Sequence, residues 1–383
     1  AYPCCLSDYW HPVGDLRKNT MAEIWNQDAY KTMRLNMLED KPCKECTKCY
    51  EQEQHGSFSM RYDANRNYGH HIEEVEKTLD EGTHPDFKLR YWDVRFSNLC
   101  NFRCRSCGPI FSSNWYNDHV KLYNVKPDVL GRPMERVEYT TGTEDDMLAQ
   151  MEPHIPYLEQ VYFAGGEPLI MKEHWKVLDE LVKREMFHVR LIYNTNLNEL
   201  RYKKESVLEL WKQFPTVCVA ASLDDMGPRA EYIRRGANWD IVERNRERMM
   251  QDCPNVDFYI SPTLSIMNAL HLPDFHQSWV DKGLIRAQDL NVNILQDPAY
   301  YRIDIATPDY KNILRQRFEQ HIEWLRPLDP LQRATVGFES AIKFMDATDN
   351  SHLIPKFWAK TKELDLIRNE NILEVIPELS VLQ

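Results

Sequence analysis

A chain of 383 residues with 43% hydrophobic and 28% charged residues has a globular balance, and is long enough for two or three domains or one large barrel with an accessory module. A net charge of −12 argues against tracking the phosphates of nucleic acid, and the sequence shows no secretory signal, lipidation motif or apolar run of membrane length, so a cytoplasmic protein with no membrane partner is expected. Ten cysteines are too few for a disulfide scaffold of this size; eight of them fall in two tight groups, which points to metal ligation in a reducing compartment.

The chain opens Ala1-Tyr-Pro-Cys4-Cys5 without an initiator methionine and reads as a fragment that starts inside a motif. The block from Ala1 to about Tyr62 holds the first cysteine group. Cys43-Lys-Glu-Cys46-Thr-Lys-Cys49 puts three sulfurs on a short loop opened by Pro42, and Cys4, or alternatively Cys5, closes a four-sulfur site from a distance. Such a site holds an iron–sulfur cluster or a structural zinc ion. Thr20 followed by Glu23 is a capping-box pattern, and Ile24, Trp25, Met33, Met37 and Leu38 mark the apolar side of a helix running to about Glu39, a stripe expected to pack against the cysteine loop.

From Tyr91 onward strands and helices alternate, the pattern of a parallel sheet with crossover helices. Strands are expected near Tyr91 to Ser97, Gln160 to Ala164, Val189 to Thr195, Val217 to Ser222, Asp257 to Leu264 and Asn291 to Leu295. Helices are expected near Ile110 to Tyr123, Lys172 to Arg184, Lys203 to Gln213, Trp239 to Gln251 and Pro273 to Lys282, with a Pro- and Gly-containing insertion from Asn124 to Asp145. Alternate strand positions are polar: Asp93, Arg95 and Ser97, then Asn194 and Asn196, Ser222 and Asp224, Ser261 and Thr263, Asn291 and Asn293. Side chains alternate between the faces of a strand, so these groups are expected to line a hydrophilic lumen while Val94, Phe96, Ile192, Val292 and Ile294 face the helices. Beyond the sixth strand come helices near Lys311 to Trp324 and Ser340 to Met345, then a tail anchored by Phe357-Trp358. Cys218 and Cys253 read as buried thiols, and the histidines outside these motifs as surface residues.

The chemistry of an α/β barrel sits at the carboxyl ends of its strands. Directly after the first strand comes Asn98-Leu-Cys100-Asn-Phe-Arg-Cys104-Arg-Ser-Cys107. Three thiolates can hold three corners of a four-iron cube and leave the fourth iron open to a small molecule; zinc is the other occupant of such a run. At the end of the second strand, Gly165-Gly166-Glu167-Pro168 offers a close backbone approach and exposed carbonyls that can accept hydrogen bonds from an ammonium group. The fourth strand ends at Ser222-Leu-Asp224, followed by Tyr232-Ile-Arg234-Arg235-Gly236.

The triplet together with the Gly-Gly-Glu-Pro turn resembles the signature of the radical S-adenosylmethionine (SAM) enzymes. The resemblance implies an open, partial (β/α)6 TIM-like barrel over residues 88–300, with an N-terminal Cys-rich module over 1–62 and a C-terminal helical extension over 301–383. It implies that Cys100, Cys104 and Cys107 hold a [4Fe–4S] cluster whose open iron is chelated by SAM, which is reductively cleaved to a 5′-deoxyadenosyl radical. Gly165, Gly166, Glu167 and Pro168 would cradle the methionine amino group, and Ser222, Asp224, Arg234 and Asn196 would contact the carboxylate or ribose. Family members often have an aromatic residue before the last cysteine; Ser106 stands there, and Phe102 could partly replace it beside adenine. No catalytic residue is assigned beyond the cluster. Cys-Cys, Gly14-Asp-Leu16, Glu23-Ile-Trp-Asn26 and the Cys43/Cys46/Cys49 set look like the auxiliary modules called twitch or SPASM, implying a second iron–sulfur cluster on Cys4, Cys43, Cys46 and Cys49. Such modules usually follow the barrel; here the module precedes it. An electron donor such as flavodoxin or ferredoxin is implied, and a peptide or protein substrate. A carbohydrate or nucleotide-linked small molecule is the alternative substrate, and a zinc-stabilised binding protein the alternative class.

Overall fold

The computed structural model describes residues 1–4, 7, 12–54, 59–129, 131–143 and 145–383. Cys5 lies outside the described residues. The chain divides into two units, one of Ala1–Asp93 with Tyr139–Leu158, the other of Val94–Glu138 with Glu159–Gln383.

In the first unit the single helix expected through Glu39 is two, Met21–Trp25 and Asp28–Leu38. Thr20 and Glu23 form the reciprocal capping box at the start of the first. The break falls at Asn26, a residue type that competes with helix hydrogen bonds through its own side chain. Its amide bonds both the N–H and the C=O of His84, while the Arg34 guanidinium donates to the Trp25 carbonyl at 2.8 Å and to Asn26 Oδ1 at 2.9 Å. The 139–158 segment joins this unit through the Met21 N–H, which donates to Gln150 Oε1 at 2.8 Å, and through His154, which packs on Phe87 with ring centres 4.4 Å apart.

The order of the five-stranded sheet is β1 (Tyr91–Val94), β2 (Gln160–Phe163), β3 (Arg190–Thr195), β4 (Val217–Ala221) and β5 (Val256–Ile260), and of β1 only Val94 belongs to the second unit. Strands β2 to β5 pair in parallel and in sequential order, as crossover helices require. The fifth expected strand is interrupted at Pro262, which has no N–H for the ladder, and resumes as Thr263–Leu264. That segment pairs in parallel with Asn293–Ile294, and Ile260 bridges Leu290, so the expected sixth strand is present and the sheet curls on toward a barrel without closing. This is the α/β partial barrel.

Helices Lys172–Lys183, Val207–Trp211, Trp239–Asp252 and Leu272–Asp281 cover the outer face, and Pro308–Leu325, Arg333–Ala347 and Ile354–Arg368 follow the last strand. One correction concerns β3: Leu191, Tyr193 and Thr195 are the buried set, so Ile192 shares the inner face with Asn194 and does not face the helices. Tyr193 turns outward, where its hydroxyl meets His174 Nε2 at 3.1 Å and its ring lies 5.0 Å from that of Trp211. A second concerns histidines: His174, His276 and His321 lie in the core and not at the surface, the last two hydrogen-bonded to each other at 2.9 Å. Among the described residues no helix is long and apolar enough to cross a membrane, and every cysteine is a free thiol.

Candidate functional site

The loop that carries Cys100, Cys104 and Cys107 leaves β1 and is held from three sides. The Glu167 N–H donates to the Leu99 carbonyl at 2.8 Å, which fastens the Gly-Gly-Glu-Pro turn to the start of the loop. At Gly166 a Cβ atom would lie 2.0 Å from the Leu99 carbonyl oxygen, so only glycine allows this approach. The stretch ahead of the helix Trp115–Tyr123 supplies the second side. Ser113 Oγ accepts from the Cys100 N–H at 3.2 Å, Ser112 Oγ donates to the Phe102 carbonyl, Asn114 to the Asn101 carbonyl at 2.9 Å, and Trp115 Nε1 to the Cys104 carbonyl at 2.6 Å. Arg103 and Arg105 form the third, donating their N–H groups to the carbonyls of Arg235 and Ile233, both at 2.8 Å. Gly236, at φ +111°, completes that seam; a Cβ there would meet the Asn101 carbonyl at 2.9 Å.

The residues singled out from the sequence occupy this neighbourhood in different ways. Glu167 is 1% exposed and its carboxylate is turned into the fold, accepting from the Leu169 N–H, the Thr195 hydroxyl and the Asn196 N–H at 3.2, 2.8 and 2.7 Å. Burial pushes its acid up to about 7 against the pull of those donors. Asn196 uses its side-chain amide to hold Asn101 Oδ1 at 2.7 Å. Gly165, Gly166 and the buried Pro168 form the turn itself, and the Ser222 N–H donates to the Thr195 carbonyl at 2.8 Å, leaving the serine part-exposed at the end of β4. Asp224 Oδ1 accepts from Arg234 Nη2 and from the Thr263 N–H, both at 2.8 Å, and Arg234 in turn points Nη1 at Cys104 Sγ, 3.7 Å away. Phe102 is 1% exposed and sits in the core against Gly236.

Sequence reasoning missed a buried ionic layer behind the loop. Arg105, between two of the cysteines, pairs with Asp365 and Glu370 and lies over the Tyr232 ring at 3.7 Å; Asp118 takes both Arg103 and Arg368 at 2.8 Å. Nothing local could have signalled these pairs, because the partners lie 250 residues or more apart for Arg105 and Arg368.

In the first unit Cys43, Cys46 and Cys49 sit on the turn Lys44–Cys46 and the start of the helix Thr47–Gln54. Burial first, then the neighbouring Cys43, Cys4 and Cys49, push the Cys46 thiol up to about 11, so Cys4 belongs to the same electrostatic group. Tyr50 Oη accepts from the Cys43 N–H at 3.1 Å and Arg61 lies over the Tyr50 ring.

The family model for the Radical SAM superfamily matches residues 94–260, and that for the SPASM iron–sulfur cluster-binding domain matches residues 1–50. By these matches residues 94–260 carry a radical SAM domain and residues 1–50 a SPASM domain. Among curated proteins none matches significantly. Of solved structures, native anSMEcpe with bound AdoMet aligns at 18% identity and a TM-score of 0.42, covering 62% of this chain and 62% of that one. Native anSMEcpe with bound AdoMet and Cp18Cys peptide aligns at 17% and 0.41, again covering 62% of each. TYW1 with a lysine-pyruvate adduct bound aligns at 10% and 0.32, covering 62% of this chain and 71% of that one. The alignment thus spans less than two thirds of the anSMEcpe chain.

The cofactors of the two matched domains are a [4Fe–4S] cluster with SAM for the radical SAM domain and an auxiliary iron–sulfur centre for the SPASM domain. The donor sets fit them. Burial holds the thiols of Cys100, Cys104 and Cys107 above the ordinary range, with that of Cys107 up to about 12, and the Cys104 sulfur further opposes ionisation of Cys100 and Cys107. Three such thiols become thiolates together only when a cation replaces the protons. Arg234 Nε adds a buried N–H with no hydrogen-bond partner among the described residues, one residue from a cysteine-facing seam.

Proposed function

We propose that this protein cleaves SAM reductively at a cluster held by Cys100, Cys104 and Cys107 and takes a hydrogen atom from a peptide or protein substrate. The observation that carries the reading is the docking of the cysteine loop on the Gly-Gly-Glu-Pro turn through Leu99, Gly166 and Glu167. When bound, the cluster and SAM supply the electron transfer and the radical. The chain's own part is positional. Gly165 and Gly166 keep side chains away from the methionine end, Glu167 fixes the turn to the end of β3, and Asp224 aims Arg234 across the mouth between β4 and the loop. On the inner face Arg95, Tyr162, Asn194, Ser222, Tyr259, Ser261 and Asn293 remain partly or fully exposed, a ring of donors and acceptors suited to an extended backbone. Cys4, Cys43, Cys46 and Cys49 ligate the auxiliary cluster in this reading.

The division into a module over 1–62, a barrel over 88–300 and an extension over 301–383 belongs to the same proposal, as do a flavodoxin- or ferredoxin-type donor and a cytoplasmic location. Anaerobic reconstitution followed by iron, sulfide and zinc analysis tests it. Iron and sulfide with reductive SAM cleavage are expected, whereas zinc without sulfide and no cleavage would overturn the reading. Cys104→Ala should lose cleavage and keep the auxiliary cluster; retained cleavage refutes the ligand assignment. A peptide substrate is checked by isotope transfer from peptide carbon into 5′-deoxyadenosine, and transfer from a nucleotide sugar alone would replace it.

A further inference from the structure

One guanidinium group meets a sulfur of the cysteine loop and a second lies behind the ring that braces the same residue. Arg234, 3.7 Å from Cys104 Sγ, is oriented by Asp224. Arg368 comes from the end of the helix Ile354–Arg368 and its side chain is 0% exposed. Its Nε donates to Asp118 Oδ2 at 2.8 Å, and its guanidinium carbon lies 4.8 Å from the centre of the Trp115 ring, the same ring whose Nε1 holds the Cys104 carbonyl. Both Nη atoms of Arg368 are buried without a hydrogen-bond partner among the described residues. Asp118 is shared with Arg103, so one carboxylate faces two cations, and Glu370, which also acts on Arg368, is itself paired with Arg105 and Arg235. Burying a cation with unused donors costs several kcal/mol unless an anion is close. Stacking on Trp115 offsets part of that cost. Negative charge on a cluster held at Cys104 would face Arg234 directly and Arg368 across the Trp115 ring, which also holds the Cys104 carbonyl.

We propose that Arg368 and Arg234 together set the reduction potential of the Cys100/Cys104/Cys107 cluster, with Asp118 as the counter-charge that limits Arg368. This rests on the reading that the triplet holds that cluster. Adding an electron makes a thiolate-bound cluster more negative, and nearby cations favour the reduced form; local charge and hydrogen bonds to sulfur are established controls on such potentials. Arg368 is thus a positioning residue of electrostatic kind, delivered to the barrel by the C-terminal extension.

The test is an EPR-monitored redox titration of the reconstituted full chain, following the signal that changes on addition of SAM, which separates this cluster from the auxiliary one. Arg368→Gln is expected to reduce the equilibrium constant for reduction about tenfold, a fall of about 59 mV for a one-electron couple. Asp118→Asn is expected to move it the opposite way, and Arg368→Lys to keep it near the wild type. No shift, or shifts of the same sign in Arg368→Gln and Asp118→Asn, overturns the proposal, because a merely structural disturbance has no reason to reverse sign. If Arg368→Gln fails to retain a cluster, the sign of the Asp118→Asn shift decides alone. A wild-type chain with iron and sulfide but no SAM-responsive signal would instead remove the cluster reading, and the proposal with it.

Discussion

Gly166 shows what a single absent methyl group can secure. Its backbone lies so close to the Leu99 carbonyl that a Cβ would sit 2.0 Å from the oxygen and 2.6 Å from the carbon, and the obstacle is main chain that no rotamer change can clear. Gly166→Ala is therefore expected to destabilise by about 1–3 kcal/mol, the usual range for overpacking, and to lower the iron bound on reconstitution. Denaturant melts and iron assays check both, and unchanged iron content at wild-type stability would show that the turn and the loop can part without consequence. The adjacent Glu167 marks how far residues were legible from sequence. Its place one strand after the cysteines could be read, because the motif is contiguous. That its carboxylate faces Thr195 and Asn196 could not, since those partners belong to the next strand. Arg234 reads from sequence as a partner for the SAM carboxylate; its contact with Cys104 was not legible, because it depends on the seam that Gly236 permits.

Strand and helix alternation made the barrel readable, because parallel strands buried on one face and polar on the other leave a strong period-two signal. The interruptions were less visible. Pro262 divides the fifth strand, and the helix Gly227–Ile233, begun with Gly227-Pro228, lies where the sequence offered only a strand-end loop. The helix Ile354–Arg368 looked like a docked tail, yet its last turn and the following Glu370 form the floor under the cysteine loop. Asp365 accepts from Arg105, from the Tyr232 hydroxyl at 2.8 Å and from the Ile372 N–H at 2.9 Å. Asp365→Ala leaves a buried guanidinium with only Glu370 and should cost about 3–5 kcal/mol. Asp365→Asn, which keeps an acceptor, should cost less. Urea unfolding of both variants measures the difference; equal losses would mean that shape, not charge, matters at that position.

Across the whole molecule, acid sensitivity and architecture are set away from the cysteine loop. His276 and His321 are buried and hydrogen-bonded to each other, and burial holds both below the ordinary imidazole range. Their folded-state pKa values are depressed, so their contribution is fully present above about pH 6.5 and is lost as pH falls from there, by up to about 1.4 kcal/mol per unit for each group. Wild-type unfolding free energy should therefore drop more steeply between about pH 7.5 and pH 5 than that of His321→Phe, whose ring can still stack on Trp324; parallel slopes would assign the acid loss elsewhere. The two-unit division was the least legible feature of all, because the 139–158 segment that completes the first unit begins inside the expected 124–145 insertion and runs on to the second strand with no local sign of where it packs. Its bonds from Gln150 to Met21 and from Tyr139 to Arg17 join chain positions more than a hundred residues apart. During synthesis, then, the unit around Cys4, Cys43, Cys46 and Cys49 must wait: it cannot be completed until residue 158 has left the ribosome, after Cys100, Cys104 and Cys107 are already made.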